Sequence, residues 1–320
     1  MNMQPINHFQ KLFSPALLVL VGIVFFPRDA FAWGPVAHID FSMQLLAGVM
    51  TLTPAIKALI KRYPTDFIYG SLAADSVLGK NLASSLTHCH GWAVALKLLT
   101  EAKNTGERYE AFVLGYLNHL GADVVAHNHY VPNRMIAHYR SKGIGHLYWE
   151  ARFDNKLLAT NSKVRDTWNR LSEMRFPEFD LFLANRLEPT LFSNQLSSRI
   201  YHRSLGIQRN RPWQGILSRI DARSKLPISS DEVLRWRVVS VAMAAMALNK
   251  PWSRELQEHD PTGRHALDSA LEHRRMLRRR HKRRYPGKRR AKLPDVERHR
   301  PVFATTYPPA PPAINRLPLK

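Results

Sequence analysis

Residues 119–129, HLGADVVAHNH, concentrate side chains that can bind a metal ion. If this stretch is helical, His119 and Asp123 lie one turn apart and point to the same side. His127 continues that side, and His129 lies just beyond it. Imidazole nitrogen and carboxylate oxygen are both zinc ligands, with bonds of about 2.0–2.2 Å. The stretch therefore suggests part of a metal site, with buried polar residues that have found other partners as the alternative.

A second pair with the same spacing, His146 and Glu150, follows in GHLYWEARFD. A single pair is weak evidence, because a histidine and an acid four residues apart also stabilise a helix on their own. Two such pairs, together with further potential ligands in the same half of the chain, favour a shared metal centre over separate helix contacts. The further potential ligands are His38, Asp75, His88 and His90.

The first 32 residues have the features of a secretory signal peptide. Lys11 precedes the apolar run LFSPALLVLVGIVFF, which is short for a membrane span. Ala30 and Ala32 then supply the small residues of an A-x-A cleavage site. Cleavage after Ala32 would make Trp33 the N-terminus of a secreted or periplasmic protein; an uncleaved membrane anchor is the alternative.

Residues 33–272 are predicted to form one all-α domain. Apolar residues recur with a period near 3.6 in segments such as YEAFVLGYLNHLGADVVAHN and SDEVLRWRVVSVAMAAMALNK, which is typical of helices. Ser229, Ser230 and Asp231 offer N-terminal caps for the second of these segments. The single cysteine, Cys89, excludes an internal disulfide. Its thiol is expected to be a small buried apolar group rather than a ligand.

Residues 273–320 carry most of the positive charge. The chain has a formal net charge of +22, and in this segment Lys and Arg outnumber Asp and Glu by 16 to 2. The segment ends in TTYPPAPPAINRLPLK, whose prolines are incompatible with regular helix or sheet. We predict a basic, disordered tail, whose charge permits contact with acidic phospholipid or nucleic acid. The alternative for the arginine run is the extension of a helix with almost no apolar face. The rest of the chain is only mildly basic, which argues against a domain built for nucleic acid.

The potential ligands resemble those of the bacterial zinc-dependent phospholipase C family and of its relatives, the single-strand-specific nucleases. The resemblance covers about residues 33–150 and includes the form WGxxxH at Trp33 and His38. It implies an all-helical domain with three zinc ions, in which the N-terminal tryptophan binds one ion through its amine and carbonyl groups. The ligands implied for the three ions are Trp33, His38 and Asp123; Asp75, His88 or His90, His119 and Asp123; and His129, His146 and Glu150.

The sequence leaves parts of this ligand assignment open. Family spacings fall between His88 and His90, so the sequence leaves that choice open. In the resemblance Asp123 bridges two ions, and His127 is a core residue or a neighbour of a ligand. The ligand types also suit manganese or iron, although zinc is the metal that the resemblance implies.

The resemblance implies hydrolysis of a phosphoric ester, with Asp75 as the base that takes a proton from water. Clustered zinc ions bind phosphate oxygens and lower the pKa of bound water. Glu150 and the tripeptide Ala-Ala-Asp at Asp75 are closer to the phospholipases, whereas the WGxxxH form is closer to the nucleases. A phospholipid substrate is the expectation. A nuclease or other phosphodiesterase is the first alternative, and a metal-stabilised envelope protein without enzymatic activity is the second.

Overall fold

The structure, a computed structural model, describes residues 33–77, 88–139, 146–189, 193–224 and 228–284. The predicted signal peptide and residues 285–320 lie outside these ranges. The described residues form helices and connecting turns and contain no strand, so the predicted all-α class is confirmed. Within the same ranges, no helix combines the length and the apolar character that crossing a membrane requires.

The helices follow one another along the chain with short connections. They are α1 (Pro35–Leu46), α2 (Pro54–Arg62), α3 (Pro64–Ala73), α4 (Trp92–Thr105), α5 (Glu107–Val125), α6 (Val131–Ala137), α7 (His146–Thr160), α8 (Ser162–Leu171), α9 (Pro177–Ala184), α10 (Asn194–Arg209), α11 (Arg211–Arg223), α12 (Ser230–Asn249), α13 (Arg254–Gln257) and α14 (Arg264–Arg284). A 3-10 turn (Ala74–Ser76) follows α3, and a π-helical turn (Ala126–Tyr130) joins α5 to α6.

Local sequence signals explain where several helices begin. Pro35, Pro54 and Pro64 occupy the first turns of α1, α2 and α3, where proline's missing N–H costs no hydrogen bond. At α12 the side chain of Ser229 accepts the backbone N–H of Glu232. Ser229 is therefore the cap among the three residues that the sequence offered.

Helix α5 lies at the centre of the domain, with every residue from Ala111 to Val125 buried. Two glycines let it cross α3 at short range. A Cβ on Gly70 would lie 1.8 Å from the carbonyl oxygen of Phe112, and a Cβ on Gly115 would lie 1.9 Å from that of Phe67. No other residue type fits these positions without separating the helices, so the glycines set the distance between α3 and α5.

The outer side of α3 is held by a hydrogen-bonded group of three side chains. The Tyr69 hydroxyl donates to Asp180 Oδ1 of α9 at 2.5 Å and lies 3.0 Å from His202 Nε2 of α10. His202 Nε2 is also 3.2 Å from Asp180 Oδ2. Because Asp75 lies in the turn directly after α3, this group helps to position that turn.

Helix α14 continues beyond the predicted end of the domain. The boundary expected at residue 272 falls inside this helix, which extends to Arg284. Leu277 is buried in the arginine-rich part, and Arg278 Nε donates to the carbonyl oxygen of Tyr139 just after α6. Residues 273–284 are therefore helical and packed against the domain, and the disorder predicted for the tail concerns residues 285–320, which lie outside the described ranges.

Candidate metal centre

Five buried side chains from four parts of the fold converge beside α5. His38 comes from α1, Asp75 from the 3-10 turn after α3, and His90 from the turn that leads into α4. His119 and Asp123 lie one turn apart on α5 itself. All five side chains are at most 4% exposed.

Four of the ligand atoms, on Asp75, His90, His119 and Asp123, lie close together. The atoms of His90, His119 and Asp123 form one group within 4.8 Å of one another, and those of His38, Asp75 and His119 form a second. His90 Nε2 lies 2.9 Å from His119 Nε2, 3.2 Å from Asp75 Oδ1 and 3.5 Å from Asp123 Oδ2. His119 Nε2 lies 3.0 Å from Asp123 Oδ2 and 3.8 Å from Asp75 Oδ1. Ligands on zinc bonds of about 2.1 Å at the tetrahedral angle are about 3.4 Å apart. These five of the six possible separations lie on both sides of that value.

The hydrogen bonding of the cluster also fits a cation. His119 Nδ1 lies 2.8 Å from the carbonyl oxygen of Ser71, so this nitrogen carries the proton and Nε2 presents a lone pair to the cluster. Both ring nitrogens of His38 and both carboxylate oxygens of Asp123 are buried without hydrogen-bonding geometry to any partner. Buried polar atoms normally have partners. A proton on His90 Nε2 could be donated to only one neighbouring ligand atom, whereas a metal ion could be bound by several of these atoms at once.

Asp123 turns its two oxygens to different neighbours. Oδ2 faces His119 and His90, while Oδ1 lies 3.3 Å from His38 Nε2. The His38 ring stacks on the His119 ring, with centroids 3.8 Å apart. Trp33 contacts α5 next to Asp123, because its Nε1 donates to the carbonyl oxygen of Ala122 at 2.9 Å. This arrangement suits a carboxylate shared between two adjacent ions.

The electrostatics of the site favour the protonation states that bind metal. Burial alone would raise the pKa of Asp123, but His119 and His38 together hold it well below the ordinary value. Burial, with a further contribution from His119, lowers the pKa of His38. Near neutral pH the site therefore presents a carboxylate and a neutral imidazole, which are the forms that coordinate metal ions.

Comparison with known protein families agrees with this chemistry. The family model described as zinc dependent phospholipase C matches residues 37–192. Residues 37–192 belong to this family. Neither the curated proteins nor the solved structures that were searched gave a match.

Nε2 of His90 lies beside the ligand atoms of His119, Asp75 and Asp123, whereas His88 belongs to a separate group with Cys89 and His90. His88 Nδ1 accepts the backbone N–H of His90 at 3.1 Å. Cys89 Sγ lies 3.3 Å from His90 Nδ1, and His90 presents its other ring nitrogen, Nε2, to the cluster. The Tyr116 hydroxyl donates to the carbonyl oxygen of Cys89. The thiol is buried, as expected from the sequence, and its sulfur lies within 4.8 Å of ligand nitrogens of His88 and His90, a third group that could hold an ion.

The ligands implied for the third ion lie on the π-helical turn and α7. Among the described side chains, His129 and Glu150 are not part of a group of three whose ligand atoms converge. The side chain of His146, at the start of α7, lies outside the described part. His127 packs elsewhere, with Nδ1 2.5 Å from the carbonyl oxygen of Pro261. The third ion stays a prediction, and His127 occupies a core position.

Asp154 is a buried polar residue of the domain that the sequence reasoning missed. From α7 its two oxygens accept the backbone N–H groups of Val36 and Ala37, each at 3.0 Å, and so cap the start of α1. Burial raises the pKa of Asp154 to about 8. A sequence signal existed, because Asp154 lies one turn beyond Glu150 on the same side of the helix. Its effect is to position α1, which carries His38.

Replacing Asp154 with alanine should lower stability by about 2 kcal/mol, because two backbone N–H groups lose their acceptor in a buried place. Asp154→Asn retains one acceptor oxygen and should lose less. Thermal unfolding of the two variants beside the wild type measures the difference. Equal stability of Asp154→Ala and wild type would contradict the capping role.

Proposed function

We propose that the protein is a zinc-dependent phosphodiesterase that hydrolyses phospholipids in the manner of a phospholipase C. The observation that carries this proposal is the convergence of buried ligand atoms beside α5, in one group on His90, His119 and Asp123 and a second on His38, Asp75 and His119. The family match over residues 37–192 supports the same function. The signal-peptide pattern of residues 1–32 supports a secreted or periplasmic location.

The metal set is proposed to contain three zinc ions, of which the described residues fit two best. One position has His90, His119 and Asp123 Oδ2 with Asp75 beside them, and the adjacent one has His38 with Asp123 Oδ1. Trp33, whose Nε1 donates to the Ala122 carbonyl oxygen, is proposed as a further ligand of the second position. When bound, zinc polarises a phosphoryl oxygen and makes water a better nucleophile near neutral pH. The third position would take His129, His146 and Glu150.

The protein's own side chains then have separate tasks. His119 is oriented by its Nδ1–H bond to the Ser71 carbonyl oxygen, which keeps its Nε2 directed at the cluster. Asp75 turns Oδ1 towards His90 and His119. We assign Asp75 as the residue that accepts the proton from the attacking water, because its carboxylate lies beside the ligand nitrogens of His90 and His119.

A nuclease is the second candidate, because the WGxxxH form at Trp33 and His38 is closer to the related nucleases. The two substrates differ in what must enter the site. A phospholipid presents one phosphodiester beside acyl chains, whereas a single strand presents a repeating charged backbone that is bound with strong salt dependence.

The purified protein should hydrolyse a choline phosphodiester such as p-nitrophenylphosphorylcholine, and a chelator should abolish this activity until zinc is restored. Single-stranded DNA, incubated under the same conditions, should remain intact. Zinc content is measured in parallel. Cleavage of DNA but not of the choline ester would assign a nuclease, and bound zinc without cleavage of either would leave the metal a structural role.

A further inference from the structure

The exposed side of α14 carries a dense group of positive charges. Residues 273–284 contain eight Arg and Lys residues and no Asp or Glu. Most of these side chains point into solvent; the exposed ones are Arg275, Arg278, Arg279, Arg280, Lys282, Arg283 and Arg284. We call these seven residues the basic face of α14.

The charges of the basic face repel one another along the helix. Arg275 and Arg279 are four residues apart, as are Arg279 and Arg283, and Arg280 and Arg284. Like charges at this spacing destabilise a helix. The repulsion between these arginines therefore opposes the helical structure that the fold requires. An anionic partner would neutralise the charges and remove the repulsion.

The basic face is fixed relative to the metal centre. Leu277, on the inner side of α14, is buried in the domain. At the start of the helix, a Cβ on Gly263 would lie 2.4 Å from the Cβ of His127, which is four residues after Asp123. The charges therefore lie on a helix that is packed directly against the turn following the α5 ligands, and not on a segment independent of the domain.

An apolar side chain within the basic face favours a lipid surface over nucleic acid. Met276 is 54% exposed and lies three and four residues before Arg279 and Arg280. An exposed apolar side chain among arginines can enter the boundary between head groups and acyl chains, while the arginines pair with lipid phosphates. A nucleic-acid backbone offers the phosphates but no apolar layer for Met276.

We propose that the basic face of α14 binds anionic phospholipid surfaces and thereby holds the metal centre at the membrane that contains its substrate. The second half of this inference rests on the proposed phospholipase function. The first half, membrane binding, is independent of catalysis. The contact is electrostatic and should weaken as salt is added.

The test uses the full-length, zinc-loaded protein and two variants with the same loss of charge. In the first variant, the exposed Arg275, Arg279, Arg280 and Arg283 are replaced with glutamine. In the control, four exposed arginines of α8 and α10 are replaced with glutamine: Arg165, Arg170, Arg199 and Arg203. Co-sedimentation measures binding to vesicles of phosphatidylglycerol mixed with phosphatidylcholine and to vesicles of phosphatidylcholine alone.

We expect binding to the mixed vesicles only, weakened on the order of 600-fold in the α14 variant and little in the control, since each of the four charges near an anionic surface contributes about 5-fold. Equal weakening in both variants would overturn the proposal, because net charge would then suffice. Tighter binding to single-stranded DNA than to the vesicles, lost in the α14 variant, would assign the face to nucleic acid instead.

Hydrolysis of the soluble choline ester separates this proposal from the proposed function. The α14 variant should retain wild-type activity on the soluble ester, and a loss would place the helix in the catalytic fold and overturn the docking role. If the wild type binds mixed vesicles but cleaves no ester, the docking surface stands and the proposed enzymatic function fails.

Discussion

Replacing Asp123 with alanine should remove two metal ions from the protein and lower its activity by roughly 10³-fold or more. The reason is that the two carboxylate oxygens have different neighbours: Oδ2 faces His119 and His90, while Oδ1 faces His38. Removing the side chain takes a ligand from both positions at once. Metal positions of this kind contribute several kcal/mol to the transition state, and each 1.4 kcal/mol changes a rate about tenfold. Native mass spectrometry gives the metal count, and choline ester hydrolysis gives the rate.

His38→Ala is the informative comparison for this prediction, because His38 faces only one oxygen of Asp123. It should lose one metal ion and keep the ion proposed for His90, His119 and Asp123. His265→Ala, which changes an exposed histidine of α14, should lose neither metal nor activity. If Asp123→Ala and His38→Ala lose the same number of ions, then Asp123 does not bridge two positions.

The helices that carry the centre were predictable because their apolar residues repeat regularly. The pair His119 and Asp123 on α5 followed from spacing alone, since any helix brings residues four apart to one side. The convergence of Asp75 and His38 on that pair did not follow from spacing, because it depends on how α1 and α3 pack against α5. The resemblance to a family supplied that information in the sequence analysis.

The choice between His88 and His90 shows the limit of local patterns. The two histidines are separated only by Cys89, and both are of a suitable type. What distinguishes them is the turn before α4, in which the backbone N–H of His90 binds His88 Nδ1 and the Tyr116 hydroxyl binds the Cys89 carbonyl oxygen. Tyr116 is on a different helix, so the orientation of the two histidines depends on tertiary contacts.

The role of Asp154 and the packing of residues 273–284 did not follow from local patterns, for a related reason. The carboxyl group of Asp154 caps α1 through the backbone N–H of Val36, which is 118 residues earlier in the chain, and no local pattern identifies such a partner. Residues 273–284 have few apolar residues, so their composition suggests an unstructured tail. Burial of Leu277 and the bond from Arg278 to Tyr139 nevertheless attach the helix to the domain.

Replacing Gly115 with alanine should destabilise the domain by about 3 kcal/mol and weaken metal binding at the same time. The new methyl group would lie 1.9 Å from the carbonyl oxygen of Phe67. A backbone atom cannot move aside by a change of rotamer, so α3 must shift away from α5. For a domain of this size, such a loss lowers the unfolding temperature by roughly 6–12 °C.

Gly206→Ala is the matched control, because nothing lies within 4 Å of a Cβ built on this glycine of α10. Alanine there should raise stability by about 0.5–1 kcal/mol through its better helix propensity. Gly115 and Gly206 would therefore respond to the same substitution with opposite signs. The shift of α3 also carries Asp75 away from His119, so zinc content after equilibration with limiting zinc should fall in Gly115→Ala alone. An unfolding temperature equal to that of the wild type would show that the separation of α3 and α5 is not set by Gly115, and that the position of Asp75 must be held by the contacts of Tyr69 with α9 and α10 instead.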